Sequence, residues 1–141
     1  MAEKVFINLA PQETAQLEAS RAVIAAHVPD HLRADYHTPE GKLSALNHIV
    51  AARSLQPYDA NGINALGTVL GDVFVQTLGM RWTRVQDEFG TTIALRYQDT
   101  SVVLAPIDAI AKREDELATL DFFHLYNTFG QIVMDLVEQG M

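Results

Sequence analysis

Apolar positions recur along this chain at two periods, helical from about residue 11 to residue 78 and alternating from about residue 80 to residue 105. Pro11 suits the first position of a helix, where its fixed φ helps and its missing N–H costs nothing. That helix is predicted to run to about His27, with Leu17, Ile24 and Val28 near one face and Pro29 as its stop. After a polar loop from Asp30 to His37, Thr38-Pro39-Glu40 reads as a second helix start. Leu43, Leu46, Ile49 and Val50 carry the helical spacing on to about Arg53. Gln56-Pro57-Tyr58-Asp59 reads as a turn, and a third helix is predicted over about Ala60 to Leu78. Ile63, Leu66, Leu70, Val73, Phe74 and Thr77 lie on its buried side, with Gly79 as its C-terminal cap. Gly67 and Gly71 are one turn apart on this helix. Each costs about 1 kcal/mol of helix propensity, so the pair implies a flat strip for close packing, against this chain or another subunit.

The alternating half predicts strands. Arg81 to Asp87 is rich in strand formers around Trp82 and Val85, Glu88-Phe89-Gly90 makes a turn, and Thr91 to Tyr97 alternates. Gln98-Asp99-Thr100 turns the chain into a short apolar strand, Ser101 to Ala105, closed by Pro106. Short turns between alternating runs imply an antiparallel meander of three strands. Val5 to Leu9 fits either a short strand or an anchored terminus. Ile107 to Arg113 reads as a short helix, Glu114-Asp115-Glu116 as a solvated break, and Asp121 to Gly140 as a final helix. That helix carries two apolar stripes, Phe122, Leu125, Phe129, Ile132 and Leu136 beside Phe123, Tyr126, Val133 and Val137. Its apolar face is wider than a surface helix needs, so the second stripe is either internal or a homodimer contact. The expected fold is α+β, a single domain over residues 1–141, with a three-stranded antiparallel meander packed against several helices in two layers.

Composition narrows the function classes. With 48% apolar and 20% charged residues in 141, the chain can bury a substantial core and has no compositional mark of disorder. It has no cysteine, which removes disulfides, thiolate metal sites and cysteine nucleophiles. Its beginning lacks the basic region and apolar core of a signal peptide, and the apolar stretch from Gly62 to Met80 carries Asp72 at its centre. Placing that carboxylate in hydrocarbon costs about 2.5–3.5 kcal/mol, so the stretch reads as a core helix and the expected location is the cytoplasm. A net charge of −8 repels phosphate backbones and argues against nucleic-acid or membrane partners.

Candidate chemistry is sparse. His27, His31 and His37 lie close together, but Pro29 breaks the helical spacing that would pair the first two as metal ligands. His48 and His124 read as an exposed and a boundary histidine, so no metal is expected. Asp87 and Glu88 are adjacent on an extended segment and point to opposite faces, which rules out a close dyad between them. One of them could pair with Arg96 across the hairpin, as turn chemistry or within a polar cluster of Asp87, Glu88, Arg96, Lys112 and Arg113 that grips a ligand or partner. No phosphate loop, nucleophile elbow or zinc-protease motif occurs, so no catalytic residue and no cofactor is expected.

The run LGTVLGDVFVQTLGMRWTRVQDEFGTTIALRYQDTSVVLAPIDAIAKR resembles a bacterial family known as domain of unknown function 3806. The matching features are Gly67, Gly71 and Asp72 on one helix, Trp82, the Asp87-Glu88-Phe89-Gly90 turn, Leu95-Arg96, Pro106 and Lys112-Arg113. The resemblance covers roughly the middle half of the chain, a core of about 41–115. It implies helix, meander and helix as one unit, with Gly67, Gly71, Asp72, Trp82, Gly90 and Pro106 structural, and it implies no activity, cofactor or partner. It also raises the polar set Asp72, Asp87, Glu88, Arg96 and Lys112, and should the sheet face that carries Arg96 pack on the glycine helix, Asp72 and Arg96 would meet as a partly buried ion pair.

Two functional readings follow. The first is a non-catalytic, acidic module that binds another protein, an immunity or antitoxin-like role being one form, with a homodimer through Phe123, Tyr126, Val133 and Val137. The second is a small enzyme or ligand binder built on Asp87, Glu88, Arg96 and Lys112, which requires those residues around one concavity.

Overall fold

The structure, a computed structural model, describes residues 4–55 and 59–140. Its elements are β1 (Val5–Ile7), α1 (Pro11–His27), a tight helical turn (Asp30–Leu32), α2 (Pro39–Ala51), α3 (Ala60–Leu78), β2 (Arg81–Asp87), β3 (Gly90–Arg96), β4 (Val103–Leu104), α4 (Pro106–Ala111), a second tight helical turn (Glu114–Thr119) and α5 (Phe122–Glu138). The turn expected at Gln56-Pro57-Tyr58 lies outside the described residues.

Local chemistry sets the helix ends. The Glu13 carboxylate accepts the Ala10 N–H at 2.8 Å, just ahead of Pro11 at the start of α1. Thr38 Oγ1 accepts the Gly41 N–H at 2.9 Å to cap α2, and Asp59 Oδ1 accepts the Gly62 N–H at 2.9 Å to cap α3. Gly79 ends α3 in the left-handed region at φ 67°, a conformation that glycine enters without a Cβ penalty. Asp121 caps α5 through its side chain on the Phe123 N–H at 3.0 Å. Glu114, Asp115 and Glu116 are exposed, as expected, but they open a tight helical turn over Glu114–Thr119 that the buried Leu117 anchors, and the chain is not broken there.

The sheet is antiparallel in the order β1-β2-β3-β4 and therefore has four strands, not three. The added strand is β1, paired with β2 in the register Val5↔Gln86, Phe6↔Val85 and Ile7↔Arg84. Thr83 fixes it further by donating its hydroxyl to the Ile7 carbonyl at 3.0 Å. The hairpin β2–β3 runs from Arg81↔Arg96 at one end to Asp87↔Gly90 at the other, with Trp82 opposite Leu95.

The α3 helix lies at the centre and packs against α1, α2, α4 and α5. Its burial extends nearly all round the first three turns, through Gly62, Ile63, Ala65, Leu66, Gly67, Thr68, Val69, Leu70 and Gly71. The helices cover the sheet face that carries Trp82 and Leu95, both of which join the main core. The opposite face has its own cover, because the Arg96 guanidinium sits 3.7 Å above the centre of the Phe6 ring. Thr83, Val85 and Ala94 are buried on that face. In α5 the buried residues are Phe122, Leu125, Phe129 and Val133, so the inward stripe mixes the two apolar stripes read from the sequence.

Candidate functional site

The glycine strip packs against the chain itself. A Cβ on Gly67 would lie 2.5 Å from Ile107 Cα, and one on Gly71 would strike the six-membered ring of Trp82 and come within 3.0 Å of Pro106 Cγ. Helix α3 thereby receives α4 at Gly67 and the β2 indole at Gly71. Asp72 then accepts the Trp82 Nε1–H at 3.0 Å. It also accepts Arg21 from α1 in a two-pronged pair, Nε to Oδ2 at 2.7 Å and Nη2 to Oδ1 at 2.9 Å. Arg21 bonds Glu18 as well. These bonds hold the Arg21 guanidinium protonated beyond its ordinary range, the Asp72 hydrogen bond being the largest cause.

Asp72 and Arg96 do not meet. Side chains alternate along a strand, so Arg96 faces away from α3 while its neighbour Leu95 faces the core. Arg96 stacks on Phe6 and donates Nε to the Thr100 carbonyl at 2.8 Å. Nor does Arg96 pair with Asp87 or Glu88. Asp87 is opposite Gly90 at the hairpin tip and Arg96 ends β3 six positions further on, a distance of about 20 Å at strand rise. Lys112, just beyond α4, is exposed. Arg113 packs its guanidinium 5.3 Å from the Phe129 ring centre and donates to the Ala109 carbonyl at 2.9 Å. Asp87 and Glu88 at the hairpin tip are thus remote from Arg96, and the Arg113 guanidinium is engaged by Phe129 and the Ala109 carbonyl. Among the described residues no group of three or more His, Asp or Glu is placed to hold a metal ion.

Three features of the surface could carry chemistry. At the hairpin tip Phe89 is 90% exposed, next to Glu88, and its N–H is accepted by Asp87 Oδ1 at 2.8 Å. Gly90 follows in a left-handed conformation at φ 132° that turns the chain back. Beside α5 lies a depression of about 460 Å³ bounded by Arg113, Glu116, Asp121 and His124. Asn47 ties its wall to α2, accepting the Phe122 N–H at 2.7 Å and donating to Asp121 at 3.3 Å. The Asn47 hydrogen bond is the first cause that holds the Asp121 carboxyl below its usual range.

The third feature is a cleft of about 280 Å³ between α1, α2 and α3, bounded by Arg21, Tyr36, Lys42 and Asp72 over Ala22, Ala25 and Val69. Lys42 Nζ donates to the carbonyls of Tyr36 at 3.3 Å and His37 at 3.1 Å. It lies 5.4 Å from the Tyr36 ring centre. Burial pushes the Tyr36 phenol up to about 12, with the Asp72 charge adding to it. Sequence reading missed this cleft. Tyr36 stands in a polar loop and Lys42 on a helix with no motif between them, and only the fold sets them beside Asp72.

The geometry defines an α+β protein with a central helix clamped by a glycine strip against a helix and a sheet. The pattern of the domain of unknown function 3806 matches residues 42–126, about 60% of the chain, and the protein belongs to that family. A crystal structure from Bacteroides thetaiotaomicron VPI-5482 at 1.50 Å has the same fold, with a TM-score of 0.72 over 89% of this chain at 16% identity. The chain spans 46% of that protein's length. No protein of curated function matches the sequence. The family match begins at Lys42, so β1 and α1, which supply Ile7 and Arg21 to the sheet edge and to Asp72, lie outside it. No helix among the described residues is long and apolar enough to cross a membrane.

Proposed function

We propose that this chain is a non-catalytic protein-interaction module of the bacterial cytoplasm, an acidic domain that docks through its β2–β3 hairpin on a basic surface of another protein. The observation that carries the reading is Phe89, 90% exposed at the hairpin tip. An aromatic ring left in water is costly to keep and is a common anchor of protein contacts. Asp87 and Glu88 precede it, and a chain with net charge −8 is steered towards basic partners. An immunity or antitoxin-like role is one form of such a module.

The test is capture of partners by the wild type and by Phe89→Ser, with both proteins checked for identical folds. A stoichiometric partner held by the wild type and lost by the variant supports the reading. No partner, or equal capture by both, removes it.

Self-association through α5 is a second form, favoured by Ile132, which is 51% exposed. Val133 is spent in the core and Tyr126 packs on Phe74 with ring centres 5.1 Å apart. The outward contact is therefore narrower than the stripe Phe123, Tyr126, Val133 and Val137. A strict monomer by light scattering at high concentration ends this form.

A further inference from the structure

We propose that the cleft between α1, α2 and α3 binds a small monocarboxylate, its carboxylate on the Lys42 ammonium and the Tyr36 hydroxyl and its apolar body on Ala22, Ala25 and Val69. This site is separate from the hairpin and stands or falls independently of the docking reading.

The cations of the cleft differ in what they have left to give. Arg21 is engaged by Asp72 and Glu18. Lys42 is half-buried, and among the described residues it bonds two neutral carbonyls, which leaves one of its three N–H donors for a ligand. Among the described residues it has no ion-pair partner, in a chain with 18 acidic and 10 basic side chains. Burial pulls the Lys42 pKa down, and the field of Asp72 only partly opposes this. An entering carboxylate would offset that burial. Tyr36 remains a neutral phenol at pH 7, because burial and Asp72 push it up to about 12. Tyr36 lines the cleft, and its hydroxyl makes no hydrogen bond among the described residues.

Size and charge then restrict the ligand. A volume of about 280 Å³ lies at the low end of small-molecule pockets. Ala22, Ala25 and Val69 form an apolar surface that suits a short aliphatic or aromatic body. Glu18 and Asp72 also line the cleft and are both paired with Arg21, so Lys42 matches one entering negative charge and a second would meet no further cation of the lining, which disfavours dicarboxylates and phosphate.

The experiment is a titration of the full chain at pH 7 with benzoate, isobutyrate and the neutral analogue benzamide, followed by backbone amide chemical shifts. The expected result is saturable shifts centred on Ala22, Ala25 and Val69 with at least one carboxylate and none with benzamide. Lys42→Met should weaken binding at least about tenfold, the scale of one charge-assisted hydrogen bond, and Tyr36→Phe by a smaller factor. Scattered or non-saturating shifts overturn the site. So does equal binding of benzamide, or unchanged affinity in a folded Lys42→Met. Should Lys42→Met fail to fold, the benzamide arm and Tyr36→Phe decide, since that variant keeps the ring and removes only the hydroxyl.

Discussion

Arg21 and Asp72 are 51 positions apart in sequence and joined by two hydrogen bonds, at 2.7 and 2.9 Å, with the Trp82 indole on the same carboxylate at 3.0 Å. The Asp72 side chain is 16% exposed and that of Arg21 32%. The pair sits where charge is neither fully solvated nor fully dry. Asp72→Ala leaves the guanidinium to Glu18 and water and removes the acceptor of the indole N–H, and should lower unfolding free energy by about 1–3 kcal/mol. Arg21→Ala should cost about 1–3 kcal/mol. A double-mutant cycle in urea should return a coupling above about 1 kcal/mol; a coupling near zero would show that the carboxylate and guanidinium are held by other contacts.

Glycine-to-alanine exchanges should change sign between two helices. In α3, Gly71→Ala drives a methyl into the Trp82 ring and Pro106. The helix propensity gained, about 1 kcal/mol, is outweighed by overpacking, for a net loss of about 1–3 kcal/mol. In α5, a methyl on Gly130 meets, among the described residues, Phe74 at 3.7 Å, ordinary van der Waals contact. Gly130→Ala should therefore stabilise by up to about 1 kcal/mol. Thermal melts of the two variants moving in the same direction would contradict the packing described.

Acid should destabilise the protein through Glu13 and Asp121. Hydrogen bonds from Arg84, with Nη2 to Oε1 at 2.6 Å, and from the Ala10 N–H hold the folded Glu13 pKa below its ordinary 4.5. Asn47 does the same for Asp121, below 3.8. Groups depressed on folding stabilise above their unfolded pKa, and that stability is lost as pH falls through the folded values. Stability should decline with acid from about pH 4.5 downward, and Glu13→Gln should flatten the decline.

Alkali acts through Tyr36. Its folded pKa is raised from 10.0 to about 12, so its contribution is complete below the unfolded value and is lost as pH rises through the folded one. Lys42, lowered from 10.5, contributes stability only above its unfolded value and offsets part of that loss. The chain has 4 tyrosines. A tyrosinate absorbance titration should show a late step near pH 12 that vanishes in Tyr36→Phe. A late step that persists in the variant would assign it to another ring.

Phe89→Ser should leave the melt within about 0.5 kcal/mol of wild type, because a side chain in water has little to lose. A larger loss would mean that the ring packs on the hairpin and is not displayed.

The helices were legible because their ends are written locally, in Pro11, Thr38 with Pro39, and Gly79. The hairpin was legible because strand alternation and turn residues are also local. β1 was left open, since three residues give no measurable alternation and the partner strand lies far along the chain. Asp72 pairs with Arg21, and not with Arg96, because the other face of the sheet packs on α3. Spacing alone does not say which sheet face meets a helix, and the Phe6–Arg96 stack on the outer face has no local signature. The family pattern did mark the residues around Asp72, but as a packing arrangement of α3, β2 and α4. Arg21, Tyr36 and Lys42 carry no motif and came only from the fold.

The first strand must wait for its partner during synthesis. Thr83 bonds to Ile7 across 76 positions. At about 5–20 residues per second, a ribosome releases that strand roughly 4–15 s before its partner exists. Helix α1, whose Arg21 waits for Asp72 across 51 positions, stands idle for roughly 3–10 s at the same rate. Through that interval the nascent segment must stay unassociated by its own polarity, and Gln12, Glu13, Thr14, Gln16 and Glu18 supply it. Loop closure then sets the last step, so the amino-terminal elements should be the latest to gain protection from hydrogen exchange.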